Sequence, residues 1–180
     1  MANSTPFILT HSGTRMCFLD PCHSDIKIED IAHALGKICR FGGHVGGNKH
    51  YSVAEHCYRV SCMVPDELKL KALLHDAGEA YLVDIPSPIK HLDCMAGYRS
   101  IEDNLQRSIY ELFGVDPGES QEIDDADKEA CRQEGLSMIK GWCDLPPCNQ
   151  PRRRLLAPFG FWSPEVATKN YMSRFERINR

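Results

Sequence analysis

Apolar positions recur at helical spacing through most of the chain. Ile28, Ile31, Ala32, Leu35 and Ile38 share one face of a predicted helix that stops at Phe41-Gly42-Gly43. Ser52-Val53-Ala54-Glu55 reads as a capping box opening a second helix, which places His56 in its first turns. Pro65-Asp66 opens a third, with Leu68, Ala72 and Leu74 as its stripe, running on through His75, Asp76 and Glu79. The two prolines of Asp84-Ile85-Pro86-Ser87-Pro88 break the chain. Long helices are then expected over about Tyr98 to Phe113, ending at Gly114, and over about Ser120 to Lys140. Ser163-Pro164-Glu165, with proline at the first helical position, starts a last helix to about Arg177. Before residue 25 the pattern is short and extended. Phe7-Ile8-Leu9-Thr10 and Arg15-Met16-Cys17-Phe18-Leu19 flank Ser12-Gly13 as a small N-terminal hairpin. The reading is an all-α bundle of about six or seven helices in one domain, residues 1–180, with its core at about 28–140.

Composition narrows this little. Hydrophobic residues make up 42% and charged residues 26%, an ordinary globular balance that excludes a disordered chain. A net charge of −4 argues against a nucleic-acid polymer as partner, and Arg152-Arg153-Arg154 reads as a solvated turn or an oligomer contact inside the loop Pro146–Arg154. Apolar runs such as Ala72-Leu73-Leu74 are too short for a membrane span, and the first residues resemble no signal peptide, so a cytoplasmic protein is expected, in the host cytoplasm if viral. Nine cysteines without a Cys-x-x-Cys are expected as reduced thiols filling the core. His11, His23, His33, His50 and His91 are expected to be structural, and Trp142 and Trp162 to pack.

The chemistry lies at Leu74-His75-Asp76-Ala77-Gly78-Glu79. Imidazole beside carboxylate suits a divalent cation. On a helix Glu79 rises on the same side as His75 and Asp76. Two ligands are too few, so distant helices must supply others. His56 and Asp127 are the candidates, with Asp124 and Asp125 competing for the last position.

Ser52-Val53-Ala54-Glu55-His56, Leu74-His75-Asp76-Ala77-Gly78-Glu79-Ala80-Tyr81 and Asp84-Ile85-Pro86-Ser87-Pro88-Ile89-Lys90 together resemble the HD-domain phosphohydrolases. The similarity is to the phage dATP triphosphohydrolases and the bacterial 5′-deoxynucleotidase, and runs from about Ile28 to Asp127. It implies a metal (Co, Zn, Mn or similar, with Mg as a possible second ion) on His56, His75, Asp76 and Asp127. It makes Glu79 and Asp84 the carboxylates that orient water and move protons. Arg40, placed at a helix end, would grip phosphate, and Lys90 would contact outer phosphates. Phe41 would stack on base or sugar, and His44 would touch phosphate or the leaving oxygen. The implied reaction is hydrolysis of a small-molecule nucleotide at its 5′ phosphoester. dATP, giving deoxyadenosine and triphosphate, is the first expectation, and deoxynucleoside monophosphates are the alternative. In the family a basic residue often stands three positions before the last metal aspartate; here it is Asp124, which weakens the triphosphate reading unless Lys128 substitutes. A homo-oligomer is also expected from the resemblance. An HD module that binds a nucleotide without cleaving it, as a sensor, is the alternative of another class.

Overall fold

The structure, a computed structural model, describes residues 6–142 and 158–180. The loop Pro146–Arg154, Arg152-Arg153-Arg154, Cys143 and Cys148 lie outside the described residues. The hairpin forms as expected: β1 (Phe7–Leu9) pairs antiparallel with β2 (Arg15–Cys17), Ile8 facing Met16. Met16 is fully buried and fastens the hairpin to the helices.

The rest is helical, in α1 (Ile28–Lys37), α2 (Val53–Ser61), α3 (Lys69–Leu74), α4 (Glu79–Leu82), α5 (Ser87–Lys90), α6 (Ala96–Leu112), α7 (Gln121–Met138) and α8 (Pro164–Ile178). The expected periodicity is what buries them. Ile31, Ala32 and Leu35 of α1, Leu105 and Ile109 of α6, and Ala167, Tyr171 and Phe175 of α8 meet in one core. That core reaches past residues 28–140 at both ends, because α8 closes the bundle against α1 and α2. A second cluster, Val60, Val64, Ala72, Ile123, Ala126 and Ala130, locks α7 onto α2 and α3. Among the described residues no helix is long and apolar enough to cross a membrane.

The expected helix from Pro65 through Glu79 is interrupted. Between α3 and α4 the backbone stays right-handed at His75 and Gly78, but its hydrogen bonds tighten: the amide of Ala77 donates to Leu74 and that of Glu79 to Asp76. Side chains from elsewhere take up the neighbouring carbonyls. Tyr171 donates its hydroxyl to Leu73 O at 2.9 Å, and Gln106 its Nε2 to Leu74 O at 2.7 Å. With three residues per turn, i and i+3 eclipse, so Asp76 and Glu79 stand in line.

The capping box is half formed. The Glu55 amide donates to Ser52 Oγ at 3.1 Å, but the Glu55 carboxylate turns away from the helix start. It accepts instead from the amides of Gly160 (2.7 Å) and Trp162 (3.0 Å), anchoring the approach to α8. The thiols also depart from expectation. All seven described cysteines are free, but only Cys57 is fully buried, and Cys22 and Cys94 are exposed.

Asp30, buried in the first turn of α1, holds the hairpin: Thr10 Oγ1 and Ser12 Oγ donate to Oδ2 at 2.7 and 2.8 Å, and the Ser12 amide to Oδ1 at 2.7 Å. Burial works against its charge, but the bonds from Thr10 and Ser12 outweigh it and lower its pKa below 3.8. A carboxylate whose pKa falls on folding stabilises above its unfolded value, and that contribution is lost as pH falls through the folded value. Asp30→Ala is therefore expected to cost about 2 kcal/mol at pH 7. Urea titrations should show the gap to wild type narrowing as the pH drops below 3.8. A gap independent of pH would assign the loss to packing.

Candidate metal centre

His56 enters from α2 and His75 and Asp76 from the turn after α3, and one donor atom of each lies within 4.8 Å of the others. The two imidazole Nε2 atoms are 3.3 Å apart. Asp76 Oδ2 is 3.2 Å from His75 Nε2 and 3.7 Å from His56 Nε2. Asp127 Oδ1, from α7, is 3.0 Å from His56 Nε2 and 3.9 Å from His75 Nε2. Ligands at about 2.0–2.2 Å around a tetrahedral ion stand roughly 3.3–3.6 Å apart, so the spacings among His56, His75 and Asp76 suit one cation held in common, with Asp127 beside the two imidazoles. Of the competing aspartates, Asp124 is exposed and Asp125 bonds to Gln121, so α7 brings Asp127 to the centre.

The tautomers point the same way. His56 Nδ1 faces Glu134 Oε1 at 2.8 Å, and His75 Nδ1 faces the Ala72 carbonyl at 2.8 Å. Both Nδ1 atoms therefore carry hydrogen, and the two Nε2 atoms face each other beside two carboxylates, where a proton or a cation would be held. Burial opposes charge on both rings. Asp76 nevertheless raises the pKa of His75 well above the usual value, and Glu134 and Asp127 raise that of His56. Asp76 and Asp127 resist protonation in turn: burial alone would raise them, but the histidines bring both far below the ordinary carboxylate range. Such a donor set draws positive charge, and a divalent ion fits it.

Glu134 was not anticipated. It is fully buried on α7, about two turns beyond Asp127 and on the same face. Besides His56 it binds Tyr51, whose hydroxyl donates at 2.7 Å, and Arg40 Nε at 3.2 Å. Burial would raise its carboxyl, but His56 and Arg40, with the bonds from His56 and Tyr51, bring it down to about 2. The seven-residue spacing from Asp127 was the one local signal for it.

Arg40 does not end a helix. α1 stops at Lys37, because Ile38 and Cys39 run extended to pair with Tyr51-Ser52-Val53. Arg40 then opens a tight turn, Arg40–Gly43, in which Phe41 and Gly42 take left-handed conformations (φ 56° and 58°). Its guanidinium lies 3.5 Å from Asp76 Oδ2. Burial disfavours that charge, yet Glu134, Asp76 and Asp127 keep it firmly in place.

A cleft of about 680 Å³ opens on the centre, lined by Arg40, Phe41, His44, Asp76, Glu79, Asp84, Lys90 and Asp127, with Pro86, Pro88, His91, Ile139 and Trp142 among the remaining wall. The wall therefore unites the expected site residues except His56 and His75. Lys128 is not part of it, and His91 and Trp142 are. Glu79 Oε2 is buried and has no hydrogen-bond partner among the described residues. Burial, then Asp76 and Asp84, push the Glu79 pKa well above its usual value, and burial raises that of Asp84. Lys90 is less available than expected, since its ammonium sits 2.7 Å from Glu102 and 3.5 Å from Glu79. Val83, just before Asp84, is held at φ 65°, ψ 161°, a region costly for any residue but glycine.

No family model matches the chain. Two curated relatives do: the uncharacterised protein YfdR of Escherichia coli K12, 41% identical over 121 residues (67% of this chain and 66% of the relative), and the uncharacterised protein RCAP_rcc00048 of Rhodobacter capsulatus, 39% identical over 111 residues (58% and 56%). The matched stretch thus spans just under two thirds of the first relative and little over half of the second. The protein is mostly helical, and its His56-His75-Asp76 group could hold a metal ion.

Proposed function

We propose that the protein is a metal-dependent phosphohydrolase of the HD class that cleaves (deoxy)nucleotides at the 5′ phosphoester. One observation carries the reading. The donors of His56, His75 and Asp76 lie within 4.8 Å of one another, Asp127 stands 3.0 Å from His56 Nε2, and the buried, charged Arg40 lies 3.5 Å from the same Asp76 carboxylate on the wall of an open cleft. A cation site bordered by a guanidinium is what a phosphate ester requires. When bound, the ion supplies Lewis acidity and lowers the pKa of water toward about 7.

The protein's own groups do the rest. Arg40 neutralises charge growing on the phosphoryl oxygens. Water adds to phosphorus, the bond from phosphorus to the 5′ oxygen breaks, and that oxygen leaves as the nucleoside hydroxyl. Asp84 and Glu79 line the cleft to receive the proton of the water and return one to the leaving oxygen. The cleft's charge favours a monophosphate over a triphosphate. Among the described residues its cationic side chains are Arg40 and Lys90, each already paired with carboxylates. A phosphate dianion on a divalent ion beside Arg40 leaves less negative charge unmet than a triphosphate does.

Product analysis of the metal-loaded protein against dAMP, the other deoxynucleoside monophosphates, dATP and ATP tests this. Inorganic phosphate plus nucleoside from the monophosphates is the expected result. Intact triphosphate plus deoxyadenosine from dATP would keep the chemistry and reverse the substrate choice. No cleavage with Mn²⁺, Co²⁺ or Zn²⁺, alongside saturable nucleotide binding, would replace the enzyme by a sensor.

A further inference from the structure

We propose that the corner between Phe41 and Trp142 is a nucleobase subsite, and that Trp142 makes the centre prefer nucleotides over phosphate esters that lack a base. The inference rests on the nucleotide reading above and extends it to a residue expected only to pack.

Both rings line the cleft that carries Asp76, Glu79 and Arg40. Their centroids are 5.7 Å apart with planes at 80°, an edge-to-face pair and not a closed stack, and the Arg40 guanidinium lies 5.5 Å from the Phe41 centroid. A flat ring laid on one of them would meet the other at its rim, two favourable aromatic geometries. Phe41 is directly bonded to the phosphate-facing Arg40, so base and phosphate would be read by adjacent residues.

The corner is built at a cost that ordinary packing would not require. Phe41 is held at φ 56°, uncommon for a bulky side chain, and its turn is closed by the His44 amide donating to the Phe41 carbonyl at 3.0 Å. The same loop is tied to the end of α7 by the Gly46 amide, which donates to Met138 O at 3.0 Å. On α7 the indole fills the space a side chain at position 135 would need: a Cβ on Gly135 would lie 2.0 Å from Trp142. Both aromatic residues are only half-buried, and Ile139 and Pro88 extend the apolar wall beside them. The cleft wall thus carries charged groups, Asp76 and Arg40 among them, together with flat apolar ones. That combination matches a phosphate joined to an aromatic heterocycle. A stack reads the face of a base and not its edge, so discrimination among bases should be slight.

The test compares dAMP with 2-deoxyribose 5-phosphate on the Mn²⁺-loaded protein. Trp142→Ala should raise KM for dAMP roughly tenfold, the scale of one base–aromatic stack, leaving kcat and the KM for 2-deoxyribose 5-phosphate unchanged. Trp142→Phe should recover part of the loss. Equal effects on both substrates would mean a structural role and overturn the subsite while the hydrolase reading stands. If wild type cleaves neither compound, the hydrolase reading fails, and binding still decides the subsite. In Trp162→Phe, where Trp142 is the sole tryptophan, dAMP should quench fluorescence and 2-deoxyribose 5-phosphate should not. Absence of quenching by dAMP would overturn it.

Discussion

Asp76→Ala is expected to lose bound metal and at least about a thousandfold in phosphate release, with the fold intact. Removing a single preorganised hydrogen-bond donor from a transition state costs about 10²–10³-fold, and Asp76 is asked to do more. Its Oδ2 lies 3.2 Å from His75 Nε2, 3.7 Å from His56 Nε2 and 3.5 Å from Arg40, so the two imidazoles and the guanidinium share one carboxylate. Without it the two rings face each other with one carboxylate, Asp127, to draw in a cation. The fold should survive, because Arg40 keeps Glu134 at 3.2 Å and the turn at His75–Gly78 is held by Tyr171 and Gln106, not by Asp76. Metal content after dialysis, circular dichroism and phosphate release on dAMP measure the three parts separately. Wild-type turnover in a variant stripped of metal would sink the metal-centred mechanism. Loss of helical signal would show Asp76 to be a folding residue instead.

What could be read from the chain ahead of its structure was what neighbours in sequence decide. Ser52 and Ser163 cap their helices because each side chain reaches an amide three residues on. His75 and Asp76 come as a pair, and helical spacing puts Glu79 on their side. Interactions between distant segments were hidden. Glu55 satisfies the local pattern of a capping box, yet bonds residues 105 and 107 positions away, because amides of the approach to α8 compete for its carboxylate. The helix through His75 looked continuous because nothing local marks the tightening there. The groups that compensate for it, Tyr171 and Gln106, belong to α8 and α6. Arg40 looked like a helix end because Gly42-Gly43 follows it, while the extended pairing with Tyr51-Ser52-Val53 that lifts it from α1 needs the return of the chain. Glu134 was the costliest omission. Its partners His56 and Arg40 are 78 and 94 positions away, and a glutamate within a polar helix looks solvated until α7 is docked.

Docking makes Glu134 the residue whose loss should be felt in both stability and chemistry. Glu134→Ala would strand three groups at once: Arg40, left with Asp76 at 3.5 Å, the His56 Nδ1 hydrogen, and the buried Tyr51 hydroxyl. Breaking a buried pair on one side costs about 3–5 kcal/mol, since the remaining charge is left uncompensated. For a small domain that is a large part of the total stability, and this variant is expected to unfold at markedly lower urea. Glu134→Gln separates the two roles. It keeps the shape and an acceptor oxygen for Tyr51 or His56 but removes the charge opposite Arg40. His56 then keeps an acceptor for its Nδ1 hydrogen but loses the carboxylate charge that strengthens Nε2 as a ligand, and weakening such a partner typically lowers metal affinity about 10–100-fold. Competition against a chromophoric chelator should show that drop, with kcat recovering as metal is raised to saturation. Glu134→Gln binding metal like wild type, with an unchanged unfolding midpoint, would mean that the charge of Glu134 tunes neither His56 nor the fold.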